Sequence, residues 1–147
     1  MSKILVIEDS IEIVDLFKRF LDNHELTFAY NGEQAIDERC NKKFDLIFMD
    51  NDLGEGLTGE DIAWLQADSI NNFTLTIVHS ANIVASPKIV ATIKEFNGNA
   101  VWIMKGTTEF FNKLNEINNY NDKIDIILNE DANDIKNEQN KSRGEED

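Results

Sequence analysis

Cysteine occurs once in the 147 residues, at Cys40, and histidine twice, at His24 and His79. A single cysteine excludes an internal disulfide framework and a cysteine-rich zinc site. Two histidines are too few for a histidine-based metal cage. No long apolar run opens the chain: Met1, Ser2 and Lys3 lead into only four apolar residues, 4–7, before charge returns. That is too short for a signal peptide or a membrane span. Basic residues are also scarce, 14 against 28 acidic ones, for a formal net charge of −14. A phosphate backbone rewards Lys and Arg, so this balance argues against a nucleic-acid-binding domain and against attachment to an anionic membrane. Together these absences predict a soluble chain in a reducing, cytoplasmic setting. Hydrophobic residues make up 41%, enough for a core, and the length fits one domain plus a tail or one larger domain.

What is present alternates between two periods. Ile4-Leu5-Val6-Ile7 is a continuous apolar run ending in Glu8-Asp9, the pattern of a strand buried on both faces. Ser10 is placed to cap a helix in which Ile13, Val14, Phe17, Phe20 and Leu21 share one stripe. A second strand over 26–30 closes at Asn31-Gly32, and a helix over 33–41 turns Ala35, Ile36 and Cys40 inward. Leu46-Ile47-Phe48-Met49 is another apolar strand ending in acid, Asp50-Asn51-Asp52, followed by a loop with Gly54, Gly56 and Gly59. A third helix over 59–67 carries Ile62, Ala63 and Leu65 inward, and a strand over 73–79 ends at Ser80-Ala81-Asn82. Ser86-Pro87 reads as an N-cap with proline at the first helical position, opening a helix to Phe96 with Ile89, Val90 and Ile93. A fifth strand over 100–104 ends at Lys105-Gly106, and a last helix holds Phe110, Phe111, Leu114 and Ile117. Five strands alternating with five helices imply an α/β fold, a doubly wound parallel sheet with helices on both faces.

Composition shifts near Asn121. Residues 121–147 hold nine acidic and four basic side chains and no aromatic, and 136–147 have no apolar side chain. The expectation is a folded domain over 1–120 and an acidic, largely disordered tail over 121–147. Ile124, Ile127, Leu128 and Ile135 leave open an extension of the last helix or a docking segment.

The carboxyl ends of parallel strands are where such sheets bind ligands. Here those ends supply Glu8, Asp9, Asp50, Ser80 and Lys105. Crowded carboxylates repel one another, and a hard divalent cation, Mg²⁺ or Mn²⁺, relieves that repulsion through oxygen ligands. An aspartate beside such a metal can attack phosphorus, while an ammonium and a hydroxyl hold the phosphoryl oxygens. Any one of these residues alone would be an ordinary loop or surface group. The signal is that all the strand ends fit one role.

The run Lys3-Ile4-Leu5-Val6-Ile7-Glu8-Asp9-Ser10, with Asp45-Leu46-Ile47-Phe48-Met49-Asp50, resembles the receiver domain of two-component response regulators. Ala29-Tyr30-Asn31-Gly32-Glu33-Gln34-Ala35 is similar to that family's second strand and helix start, and the resemblance covers residues 2–120. It implies a flavodoxin-like, five-stranded sheet of order 2-1-3-4-5. It implies Asp50 as phosphoacceptor, with Mg²⁺ or Mn²⁺ held by Glu8, Asp9, the Asp50 side chain and the backbone carbonyl of Asp52. Ser80 is then the switch hydroxyl, Lys105 the partner of the phosphoryl group, and Trp102 stands where the family usually has an inward-turning Tyr or Phe. The family usually has proline after the late lysine, where this chain has Gly106, and often proline where this chain has Gly54. The implied partners are a sensor histidine kinase or histidine phosphotransfer protein, and an output protein on the face of helix four, strand five and helix five. Ile83, Val84, Lys88 and Trp102 are candidate contacts there. The resemblance implies a stand-alone signalling domain, not an enzyme beyond its own phosphorylation and dephosphorylation.

Two other readings compete. Phe48-Met49-Asp50-Asn51-Asp52-Leu53 also resembles the first motif of haloacid-dehalogenase-type phosphatases, in which an acid two residues after the nucleophile protonates the leaving group. Glu8 and Asp9 would have no role in that mechanism. Alternatively, the altered Lys105-Gly106 loop fits a degenerate receiver that binds partners without phosphorylation. Outside the constellation, His79 reads as a packed histidine, His24 as loop or helix-end surface, Trp64 as packing, and Cys40 as core.

Overall fold

The computed structural model describes residues 1–65 and 69–119. In chain order the elements are β1 (Lys3–Ile7), α1 (Ile11–Phe20), β2 (Glu25–Ala29), α2 (Gly32–Asn41), β3 (Leu46–Met49), α3 (Gly59–Leu65), β4 (Thr76–Val78), α4 (Ala85–Glu95), β5 (Ala100–Trp102) and α5 (Thr108–Asn119). The strands form one sheet in the order β2-β1-β3-β4-β5, with every pair parallel. This is the expected doubly wound α/β sheet of flavodoxin-like order. Residues 66–67, expected as the end of the third helix, and the tail over 121–147 lie outside the described residues.

Alternate strand residues feed two cores. Ile4 and Val6 of β1 and Leu46 and Phe48 of β3 meet Phe17, Leu21, Phe110, Leu114 and Ile117 on the α1–α5 face. Leu5, Ile7, Ile47 and Met49 meet Ala35, Ile62, Ala63, Ile89 and Ile93 on the other. β1 and β3 are apolar at successive positions because both faces are covered. Among the described residues no helix is long and apolar enough to cross a membrane.

Several local expectations are corrected. Cys40 is exposed and Arg39 is the buried residue of α2. Arg39 lies four residues after the buried Ala35, on the same helix stripe, whereas Cys40 is turned one step further round. The Arg39 guanidinium donates to the Ile62 carbonyl in the last turn of α3, where helix carbonyls lack intrahelical partners. Leu65 and Trp64 are exposed, although the Trp64 ring meets Phe96 edge-on at 5.6 Å. His24 is buried rather than surface: Nδ1 accepts from Ser2 N–H, which leaves Nε2 to donate to the Ile117 carbonyl at 3.0 Å. β4 is shorter than expected, because Thr74 N–H turns back to Asn71 and Phe73 is exposed. β5 also ends early, at Trp102. α4 begins before Ser86, with Asn82 Oδ1 accepting from the N–H groups of Val84 and Ala85. Ser10 does occupy the N-cap of α1, but its side chain makes no capping bond.

Gly59 brings the start of α3 against the end of β3. A Cβ there would lie 2.6 Å from the Asp50 carbonyl oxygen and 2.8 Å from Asn51 Cα. Both are backbone atoms that cannot rotate away. Gly59→Ala is therefore expected to destabilise the fold by about 1–3 kcal/mol. Urea unfolding of the two proteins checks this; an unchanged midpoint would show that α3 can retreat from the rim at no cost.

Candidate functional site

The ladder of the sheet continues past the strand ends and fixes the rim. Asp50 N–H donates to the Ile7 carbonyl, His79 N–H to Met49, and Lys105 N–H to His79, at 3.0, 3.0 and 2.9 Å. Because every strand runs the same way, Glu8, Asp50, His79 and Lys105 emerge side by side at one edge.

Their side chains converge. Lys105 Nζ lies 3.0 Å from Asp50 Oδ2 and 3.2 Å from Glu8 Oε1. His79 Nε2 lies 3.0 Å from the same Glu8 oxygen. Glu8 Oε2 accepts from Ser10 N–H, and Asp50 Oδ1 accepts from Asn51 N–H. Glu8, Asp50 and His79 are all buried. Burial alone would raise the Glu8 pKa. The His79 hydrogen bond and charge, the Ser10 N–H and the Lys105 charge outweigh it and hold Glu8 down at about 2. Burial likewise works against the Lys105 ammonium, but Asp50 and Glu8 raise its pKa above the ordinary lysine value.

The remaining expected residues stand around this core. Asp9 is exposed, with its pKa raised by partial desolvation, by a hydrogen bond with Glu8 and by the charges of Glu8 and Asp50. Asp52 is exposed, and its carboxylate accepts from Asn51 Nδ2. Ser80 is buried one residue beyond His79. Its hydroxyl oxygen accepts from Asn82 N–H rather than meeting Asp50, and its carbonyl accepts from the Trp102 indole at 2.9 Å. Trp102 is thus tied to the residue expected to act as the switch. The Lys105–Gly106 turn contains no cis peptide, and Gly106 has φ +83°, a backbone that favours glycine. Carboxylates from Glu8, Asp9, Asp50 and Asp52 outnumber the one ammonium, so the donor set fits a divalent cation.

His79 is the rim residue that sequence reading undervalued. It is packed as expected, with ring centroids 5.3 Å from Phe17 and 6.1 Å from Phe48, yet the same ring reaches Glu8. Its place immediately before Ser80, at a strand end, was the available signal.

The Glu8 carboxylate gives a pH test. Its pKa falls from 4.5 to about 2 on folding, so its stabilising contribution is complete above pH 4.5 and is lost as pH drops through about 2. Glu8→Gln removes that dependence. Chemical-denaturation curves from pH 5 down to pH 2 should fall less steeply for the variant than for the native chain. Parallel curves would mean that Glu8 is not ionised against its neighbours in the fold.

Comparison with known proteins gives the same picture. A family described as the cyclic-phosphate processing receiver domain matches residues 4–95. The sensory transduction protein LytT of Bacillus subtilis (strain 168) is 39% identical over 67 residues, covering 43% of this chain and only 27% of LytT. The response regulator domain of Thermotoga maritima CheB is 20% identical with a TM-score of 0.64, covering 88% of this chain and 97% of that one. The Mn²⁺-bound form of response regulator Rcp1 is 18% identical with a TM-score of 0.59, covering 82% and 94%. Those two structures speak to the fold. With the matched region running from β1 through α4, and with the strand order now seen, the chain belongs to the cyclic-phosphate processing receiver family, among the receiver domains of response regulators.

Proposed function

We propose that this receiver accepts a phosphoryl group on Asp50 with the help of a divalent cation and signals through protein contacts or onward phosphotransfer. One observation carries the reading: the Lys105 ammonium lies between Asp50 and Glu8 at the mouth of a parallel sheet. A carboxylate oxygen of Asp50 forms the new bond to phosphorus, and the bond from phosphorus to the donor breaks, its electron pair leaving with the donor. Lys105 then exchanges its Asp50 contact for a phosphoryl oxygen. Ser80 is suited to donate, because its oxygen already accepts from Asn82 N–H and its own proton remains free to turn. The cation, held by Glu8, Asp9, Asp50 and the Asp52 carbonyl, would supply neutralising charge at the phosphoryl oxygens. Mg²⁺ or Mn²⁺ suits these oxygens, and the Mn²⁺-bound Rcp1 is a similar fold.

On this reading residues 1–120 are the receiver unit, 121–147 an acidic tail, and the chain acts in the cytoplasm beside a histidine kinase or phosphotransfer protein. The output face is α4–β5–α5. Ile83 and Val84 are exposed there, and Pro87, Val90, Ala91, Lys94 and Trp102 line a groove of about 390 Å³. Trp102 joins the groove to the Ser80 carbonyl, so movement at the switch has a direct route to that face.

The family description favours a second reading, in which the same rim opens a cyclic phosphate ester by hydrolysis. Intact mass after incubation with a small-molecule phosphodonor and Mg²⁺ tests the first. One metal-dependent phosphoryl adduct is expected, absent in Asp50→Asn and formed on the order of a hundredfold more slowly in Lys105→Ala. Turnover of a cyclic phosphate or a phosphate monoester with no adduct would favour the hydrolytic readings. Neither adduct nor turnover would leave a binding module.

A further inference from the structure

The cation seat holds more than carboxylates. Glu8, Asp50 and His79, all buried, each offer one ligand atom, and these atoms lie within 4.8 Å of one another. Adjacent ligands of a six-coordinate ion with bonds of about 2.1 Å stand about 3.0 Å apart. His79 Nε2 and Glu8 Oε1 are 3.0 Å apart. A cation already sits in the same place: the Lys105 ammonium, 3.2 Å from Glu8 Oε1 and 3.0 Å from Asp50 Oδ2. Asp9, the remaining acid of the pair, is exposed and adjoins this trio through Glu8.

We propose that the cation seat between Glu8 and Asp50 takes His79 Nε2 as a ligand, and that the site therefore selects a transition-metal dication such as Mn²⁺, Fe²⁺, Co²⁺ or Zn²⁺ over Mg²⁺. The proposal rests on the reading of this rim as a cation-assisted acceptor site. Imidazole suits transition metals, whereas Mg²⁺ takes oxygen ligands and sheds its waters reluctantly. The ring is held for this task. Phe17, Phe48 and Phe110 surround it, with centroids at 5.3, 6.1 and 6.3 Å. Among the described residues its buried Nδ1 has no hydrogen-bond partner, whereas Nε2 faces the Glu8 carboxylate, which only accepts, and so carries a proton there before metal binds. Metal binding would displace the Nε2 proton from its bond to Glu8, leaving the neutral ring with its one proton on Nδ1; Nε2 would then offer its lone pair to the ion in the place of Lys105 between the two carboxylates. Lys105 is released toward the mouth, where the phosphoryl group would stand.

The experiment uses the full chain loaded with Mn²⁺ and read by pulsed electron paramagnetic resonance. A directly bound nitrogen is expected in the spectrum. The native protein should also retain Co²⁺ against on the order of a hundredfold excess of Mg²⁺. His79→Gln keeps an N–H donor for Glu8 but has no imidazole, so it should lose both the nitrogen coupling and the preference. Bound Mn²⁺ that shows only oxygen and water ligands in the native protein overturns the proposal, whatever the variant does. That result, together with a normal Mg²⁺-dependent adduct on Asp50, would reject His79 as a ligand while leaving the acceptor chemistry standing. Absence of any bound metal, with no adduct, would reject both.

Discussion

Two buried carboxylates at the end of a parallel sheet are the constraint around which this rim is organised. At an effective dielectric of about 20, charges 4 Å apart interact by about 4 kcal/mol, and desolvation adds to the cost of two like charges. Glu8 and Asp50 persist side by side because donors reach them from several elements. Lys105 arrives after β5, His79 after β4, Ser10 N–H from the entry to α1, and Asn51 N–H from the turn after β3. Each donor depends on strand register. A slip of one residue would reverse the faces of the two apolar cores and also turn one of these groups away from the rim.

The rim is braced unequally. On its β3 side, the Asn51 carbonyl accepts from Gly59 N–H and its side-chain oxygen from Glu60 N–H, so the acceptor loop is fastened to α3. On its β4 side, the Ser80 carbonyl takes the Trp102 indole, and its hydroxyl engages the turn into α4. These bonds join a charged centre to the exposed Ile83–Val84 turn through few atoms. Hydrogen bonds to a carbonyl and a hydroxyl can be exchanged, whereas the packed face of Phe17, Phe48 and Phe110 beneath His79 cannot give way without a cavity. The exchangeable bonds of the rim therefore lead toward α4 and β5.

The extent of what the sequence made legible follows the range of the interactions. The apolar runs of β1 and β3 and the acids that end them are local patterns, and they placed the sheet and most of the rim. Composition overextends β4, because Phe73 suits a strand while the ladder with β5 starts only at Thr76, opposite Ala100. The inward face at the end of α2 is not legible from composition, because an apolar thiol suits a core better than an arginine whose reason for burial is a carbonyl on α3. His24 and His79 show the limit most clearly. Their partners are 93 and 71 residues away, at Ile117 and Glu8, and no periodicity carries that information. The absence of proline after Lys105 was visible, but its remedy, a trans turn with Gly106 in the left-handed region, was not.

A lysine between two acids also gives the site a starting position. With no dication present, the ammonium bridges Glu8 and Asp50 and offsets part of their charge. On the proposed reading a dication competes for the same two oxygens, so its arrival and the departure of Lys105 are linked events. The lysine is then set free where a phosphoryl group needs a positive charge, and it is held back until the cation is in place. This ordering requires that Lys105 remain protonated throughout, which the raised pKa imposed by Asp50 and Glu8 secures before the exchange. On that same proposed reading one ammonium serves a rim with four carboxylates by holding the buried pair together in the resting protein and moving to the phosphoryl oxygens in the reaction.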